Sequence, residues 1–214
     1  MPPVLQDFLP KLKQHILPRV LSKLQLEEQY NTQAQGLGDD AGPHPILFSK
    51  DRLYLHNIMR INYTGYDVRR SQDVINPSTS HCNIMVLAGP NDGGNLASYH
   101  PFRYARVIGI YHVNAVYVGP GMVDYQPHRM EVLWVRWYCT VDGNHSGWAA
   151  QKLDCVQFAS MTDDDAFGFI DPHDVLRSSH IVPAFARGKI HADEKGLSRC
   201  ARDSSDWVRY YINR

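Results

Sequence analysis

The sequence lacks an excess of either charge: its 214 residues carry 22 Lys plus Arg against 22 Asp plus Glu. That balance excludes a uniformly basic nucleic-acid coat, whose field depends on surplus cations. Cysteine is scarce. Cys82, Cys139, Cys155 and Cys200 are widely spaced and form no C-x-x-C pair, which excludes a disulfide framework and points to reduced thiols in a nuclear or cytoplasmic protein. No apolar run reaches the length of a membrane span. Pro2, Pro3, Asp7 and Pro10 break the N-terminal apolar residues, so no h-region of a signal peptide is formed. No membrane association is expected.

Catalytic signatures are missing as well. There is no G-x-S-x-G, and no Walker-type lysine follows Gly93-Gly94 or Gly119-Pro120-Gly121. The eleven histidines form neither H-x-x-x-H nor H-E-x-x-H, so no metal site closes by short spacing, and no cofactor is expected. Asp163, Asp164 and Asp165 are adjacent. Neighbouring carboxylates on an extended chain point to opposite sides, which favours a solvated turn over a magnesium site. A hydrolase or nuclease remains the rival reading, provided that His100, His112, Asp171 and His173 converge in one cleft.

What the sequence does contain is periodic. Within residues 1–30, Leu5, Phe8, Leu9, Leu12, Ile16, Val20, Leu21 and Leu24 recur at helical steps. Pro10 and Pro18 predict a kink or a restart. Residues 31–50 read as a linker, dominated by Gln, Gly, Asp and Pro. Residues 51–186 read as a β-barrel-like domain. Strands are predicted over 52–63, 83–88, 104–113 (continuing to 118), 130–139, 153–159 and 167–170, with a shorter one at 181–182. Asp171-Pro172 predicts a short helical turn, with Asp171 as cap and Pro172 in first position, running through Val175 and Leu176. With no long helix between strands, the sheet is expected to be antiparallel. Residues 187–214 read as an irregular basic tail; from residue 186 onward seven basic residues face four acidic ones.

Aromatic residues carry the functional reading. Tyr104, Tyr111, Trp137 and Tyr138 are the candidate groove residues, with core packing as the alternative for each. Trp134 and Trp137 stand three positions apart, so they should face opposite sides of the strand, one in the core and one toward solvent or a groove. Aromatics at a barrel rim can also wrap a methylated ammonium. Arg69, Arg70 and Arg136 are the candidate contacts to nucleic acid or another anionic partner. Ion pairing of Arg69 or Arg70 with Asp67 or Asp73 is the alternative.

The ordered blocks FLPKLKQHIL, LHNIMRINYTGYDVRRSQDVINP, HPFRYARVIGIYHV, MEVLWVRWY, FGFIDPHDVLRSSHIVPAFARGK and SSDWVRYYINR resemble a domain of mushroom-forming fungi associated with Plavaka-type transposon proteins. The resemblance extends from Phe8 to Arg214. It implies a piece of a longer mobile-element protein whose catalytic carboxylates lie upstream, so no catalytic residue carries over. The succession ARVIGIYHV, VLWVRWY and FIDPHDVLRSSHIVPAF, with Val135-Arg136-Trp137-Tyr138 at its centre, is similar in architecture to BAH and other SH3-like chromatin modules. These resemblances imply a mainly β (α+β) fold: a small antiparallel SH3/BAH-like barrel with an N-terminal helix and an irregular C-terminal tail. They imply a non-catalytic module that binds chromatin, nucleic acid or a protein partner. A structural domain, or a relic that still folds, is the third reading.

Overall fold

Phe102–Tyr117 and His128–Thr140 are the two longest strands, and they pair with each other from Ala105↔Trp137 to Ala115↔His128. Both are rich in β-branched and aromatic residues, as the sequence predicts. The structure, a computed structural model, describes residues 7–27, 30, 44–65, 68–89, 101–122, 125–141 and 153–213. It is mainly β and antiparallel. In chain order the described strands are β1 (Ile46–His56), β2 (Met59–Thr64), β3 (Arg70–Ile75), β4 (Asn83–Leu87), β5 (Phe102–Tyr117) and β6 (His128–Thr140). They continue with β7 (Asp154–Phe158), β8 (Phe167–Ile170), β9 (Val175–Ser178), β10 (His180–Pro183) and β11 (Tyr210–Asn213). The α-helix α1 spans Phe8–Leu24.

The large sheet follows the path β10-β11-β7-β6-β5-β4-β9, with β1 also on β5 and β8 also on β6. β5 and β6 are long enough to serve two neighbours each along their outer edges. One end of β5 carries β4 and the other carries β1; β6 carries β8 and then β7. β8 and β9 are joined by a 3-10 turn at Pro172–Asp174, capped by Asp171, whose Oδ1 accepts the His173 N–H at 3.0 Å. The capping residues are those predicted, but Val175 and Leu176 belong to β9. Among the described residues the sheet is not closed by hydrogen bonds, because β8 and β9 meet through this turn rather than as a pair.

Apolar clusters hold the layers together. Ile84, Val86, Val107, Leu133, Val135, Ile170 and Val175 form the inside of the β9-β4-β5-β6-β8 arc, and Ile75, Met59 and Ile61 of the β2–β3 hairpin pack against it. Leu12, Ile16, Val20 and Leu21 of α1 cover Val113, Tyr117, Met130 and Val132 at the far end of β5 and β6. On the opposite side, β7, β10 and β11 add an outer layer where Tyr104 and Tyr138 meet Val156, Phe158, Tyr210 and Ile212.

Several expectations are corrected by these contacts. α1 is one helix: Pro10 lies in the first turn, where its missing N–H had no partner to lose, and Pro18 removes one donor without breaking the helix. The predicted strand over 52–63 is the end of β1 followed by β2, and β1 begins at Ile46, inside the predicted linker. Residues 187–213 are not an irregular tail, since β11 pairs with both β7 and β10. No described helix is long and apolar enough to cross a membrane.

Candidate anion-binding groove

The C-terminal segment brings charge to the sheet. Between β10 and β11 the chain forms a loop organised by Asp203, which is 1% exposed. Its Oδ2 accepts the Leu197 N–H at 2.6 Å and its Oδ1 accepts the Ser198 N–H at 3.0 Å, while His191 Nε2 lies 3.3 Å from Oδ2. These bonds hold the carboxyl below the ordinary carboxylate range against the opposing effect of burial. Gly196 packs so closely that a Cβ there would meet the Asp203 side chain and the Ser204 backbone N. Arg202 enters the following 3-10 turn in the left-handed region, at φ 54°. Arg199 and Arg202 are thereby carried on an ordered loop.

Asp206, fully buried, ends that loop. Its Oδ1 accepts Arg106 Nη1 at 2.6 Å and its Oδ2 accepts Arg136 Nη1 at 2.5 Å. Tyr210 donates its hydroxyl to Oδ1 at 3.3 Å and accepts the Trp207 N–H at 2.9 Å. Both guanidinium groups lie against the Phe158 ring, at 4.4 Å for Arg106 and 4.0 Å for Arg136. Phe158 is stacked in turn on Tyr138, at 4.1 Å. Two cations share one anion, so the cluster carries a net charge of +1. Arg136 Nε has no hydrogen-bond partner among the described residues.

Above this cluster lie two adjoining clefts. The larger, about 410 Å³, is lined by Arg106, Tyr138, Tyr210, Ile181, Pro183 and Trp207, together with Ser78, Thr79 and Ser80 of the β3–β4 turn. The smaller, about 260 Å³, is lined by His56, Tyr111, Trp134, Arg199 and Cys200. Pro77, Ser78 and Arg202 belong to both, so the two form one bipartite groove crossed by an arginine. Burial pushes the Cys82 thiol up, against the pull of Arg106 and Arg202. Burial likewise raises Tyr138 and Tyr210, which keeps both phenols neutral donors.

The structure brings some of the predicted residues together and separates others. Tyr111 and Tyr138 both line the groove, though in different halves, and Tyr138 is 6% exposed with its hydroxyl donated to Asn83 Oδ1 at 3.1 Å. Tyr104, at 2% exposure, is a core residue, because β7 and β11 cover its side of the sheet. Arg136 is likewise buried and acts on the groove only through Asp206. Arg70 lies on the separate β2–β3 hairpin, with Arg69 just before it; both are exposed, and neither lines the groove. Asp67 lies outside the described residues. Asp73 pairs with Arg177 at 3.3 Å and accepts the Ser178 N–H.

Trp134 and Trp137 do face opposite ways. Trp134 is in the core beside Ile108, whereas Trp137 is half-buried in a separate cleft of about 470 Å³. There the Arg103 guanidinium lies 3.7 Å from the Trp137 ring centroid, and Gly168 sits against the indole Nε1. A cation of the protein itself therefore covers one face of Trp137.

The described residues of the rival catalytic reading make separate contacts. His112 Nδ1 lies 2.6 Å from His56 Nε2, with Tyr54 stacked on the ring at 4.5 Å. Asp171 and His173 instead contact each other at 2.9 Å, and Asp171 pairs with Arg19 at 2.7 Å. His100 lies outside the described residues. Among the described residues no group of three or more His, Cys, Asp or Glu is arranged to hold a metal ion.

Arg106, Arg199 and Arg202 were missed by sequence reasoning. The basic excess after residue 186 signals Arg199 and Arg202 without distinguishing a solvated tail from a loop folded over the sheet, and Arg106 stands within a strand with no signal of its own. Comparison with protein families, with curated proteins and with solved structures finds no match to this chain.

Proposed function

We propose that this chain is a non-catalytic recognition module that binds a phosphate-bearing macromolecular partner, chromatin or nucleic acid, in the groove between the β3–β4 turn and the C-terminal loop. The observation that carries the reading is the pair of guanidinium groups on one buried carboxylate. It places an excess positive charge beneath a concave surface that Arg199 and Arg202 also face. In such a recessed site an anion meets preformed donors at little ordering cost. The β9-β4-β5-β6-β8 arc with its 3-10 turn supports placing the fold among SH3/BAH-like barrels. The ordered sequence blocks support a mobile-element protein as its origin.

The test is fluorescence polarisation with a labelled oligonucleotide, a phosphorylated histone-tail peptide and heparin, measured over a range of salt. Binding is expected to weaken linearly in log[salt]. The double variant Arg199→Glu/Arg202→Glu should lose at least about tenfold in affinity, since each phosphate contact adds to the counterion term. Absence of binding to every polyanion, or a double variant that binds like the parent, would overturn the reading.

A further inference from the structure

The groove is not one bowl. Of its two clefts, the one of about 410 Å³ falls in the lower part of the roughly 300–1,000 Å³ typical of small-molecule pockets and the one of about 260 Å³ just below it. Pro77, Ser78 and Arg202 stand between them. Each cleft has its own aromatic side chain within reach of solvent: Tyr111 in the smaller and Trp207 in the larger. Each also has its own arginine, Arg199 in the smaller and Arg106 in the larger, with Arg202 shared.

We infer that the ligand of this groove is a single strand of nucleic acid, with neighbouring bases resting against Tyr111 and Trp207 and the phosphate between them facing Arg202 and Ser78. The inference rests on the anion-binding reading above and sharpens it. A duplex keeps its bases stacked inside and presents convex rows of phosphate, so it cannot fill two recesses divided by a ridge. A single strand rotates its bases outward and offers each a π-face, which makes stacking tolerant of sequence. A phosphorylated peptide concentrates its charge on one dianion and would call for arginines converging on one point. Here the arginines are spread along the groove.

The Tyr111 ring is held in place by its own strand. A Cβ at Gly109 would overlap the ring, so the glycine lets Tyr111 lie flat along β5. Phe8 meets it edge-on at 6.2 Å. Trp207 is fixed by its backbone N–H on Tyr210 and by an edge contact with Phe185 at 4.9 Å. Both rings are therefore set before the ligand arrives, which lowers the ordering cost of a stacking contact.

The experiment compares a labelled oligothymidylate of about ten nucleotides, a span suited to one such groove, with a duplex of equal length and a phosphoserine peptide, all at one salt concentration. The single strand should bind at least about tenfold more tightly than either. Tyr111→Ala and Trp207→Ala should each weaken it by about tenfold with the salt slope unchanged, whereas Arg202→Gln should lower the slope by about 0.7. Unlabelled oligothymidylate should quench tryptophan fluorescence in the parent and not in Trp207→Phe, a milder change that keeps an aromatic ring. Equal duplex binding, a tighter peptide, or cooperatively folded aromatic variants that bind normally would overturn the single-strand inference and leave the anion groove standing. Failure of the parent to bind even heparin would remove both.

Discussion

Arg106 and Arg136 stand directly opposite each other on β5 and β6 and share the two oxygens of Asp206. Directly opposed residues of an antiparallel pair project to the same face, so two like charges come close together on the sheet. The position is tenable because Asp206 is delivered between them and the Phe158 ring covers both guanidinium groups. One carboxylate thus performs two tasks: it neutralises half of a partly buried charge pair and fastens the C-terminal loop over the groove.

Removing that carboxylate should therefore cost more than removing either arginine. Asp206→Asn leaves the buried Arg136 and the half-buried Arg106 without a counter-charge, and breaking a buried pair in this way costs up to about 3–5 kcal/mol. Arg136→Met leaves Asp206 with Arg106 still in place and should cost clearly less. Urea unfolding of the two variants at neutral pH decides the order. Equal losses would mean that Asp206 is held by only one of the two.

Gly196 supplies an independent check on the loop. A Cβ there would lie 2.6 Å from the Ser204 backbone N, an atom that cannot rotate away. Gly196→Ala should destabilise the chain by about 1–3 kcal/mol, the usual cost of overpacking. It should also weaken polyanion binding, although no charge is altered. Loss of stability with normal binding would show that the loop position does not matter to the groove.

Gly109→Ala tests the other half of the groove. The new methyl group must displace the Tyr111 ring, a side chain that can yield, so the stability loss should stay near the lower end of that same range of about 1–3 kcal/mol. Oligothymidylate binding should fall as it does in Tyr111→Ala. Unchanged binding in a variant whose near-ultraviolet circular dichroism reports a moved tyrosine would separate the ring from the ligand.

How far the sequence discloses this arrangement depends on the element. β5 and β6 are legible because they are long and rich in β-branched and aromatic residues, and the β8–β9 turn is legible because Asp171-Pro172 caps it. β3 is not, since RSQDVI ends in only two apolar residues and its hairpin partner β2 lies close in sequence. β11 escapes for a different reason: its partners β7 and β10 are set by long-range closure of the chain. The same limit hides the groove. Asp203 and Asp206 look like surface charges among other charges, yet they are 1% and 0% exposed. Only the fold reveals that Arg199 and Arg202 are mounted on them. Tyr104 takes the core-packing alternative because the outer layer that covers it is built from those same long-range pairings.

The pH response of stability follows from His15. Its ring lies on the inner side of α1, and its Nε2 has no hydrogen-bond partner among the described residues. Burial first, and then the Arg19 charge, lower its pKa from 6.5 to about 4, against the opposing pull of Asp171. The folded state therefore binds this proton more weakly than the unfolded chain does. Stability is fully present above pH 6.5 and declines as pH falls from 6.5 toward 4, where the unfolded chain is protonated and the folded one is not. At about 1.4 kcal/mol per pH unit the loss is at most about 3–4 kcal/mol, reduced by solvent screening of the partly exposed ring. His44 and His112, also lowered by burial, act in the same direction. Asp73, Asp171 and Asp203 contribute only at lower pH, because their folded pKa values lie below the ordinary 3.8. His15→Gln should flatten the part of the decline between pH 6.5 and 4.5 that this ring causes. Chemical unfolding at a series of pH values measures it, and a variant as acid-sensitive as the parent would place the buried proton elsewhere.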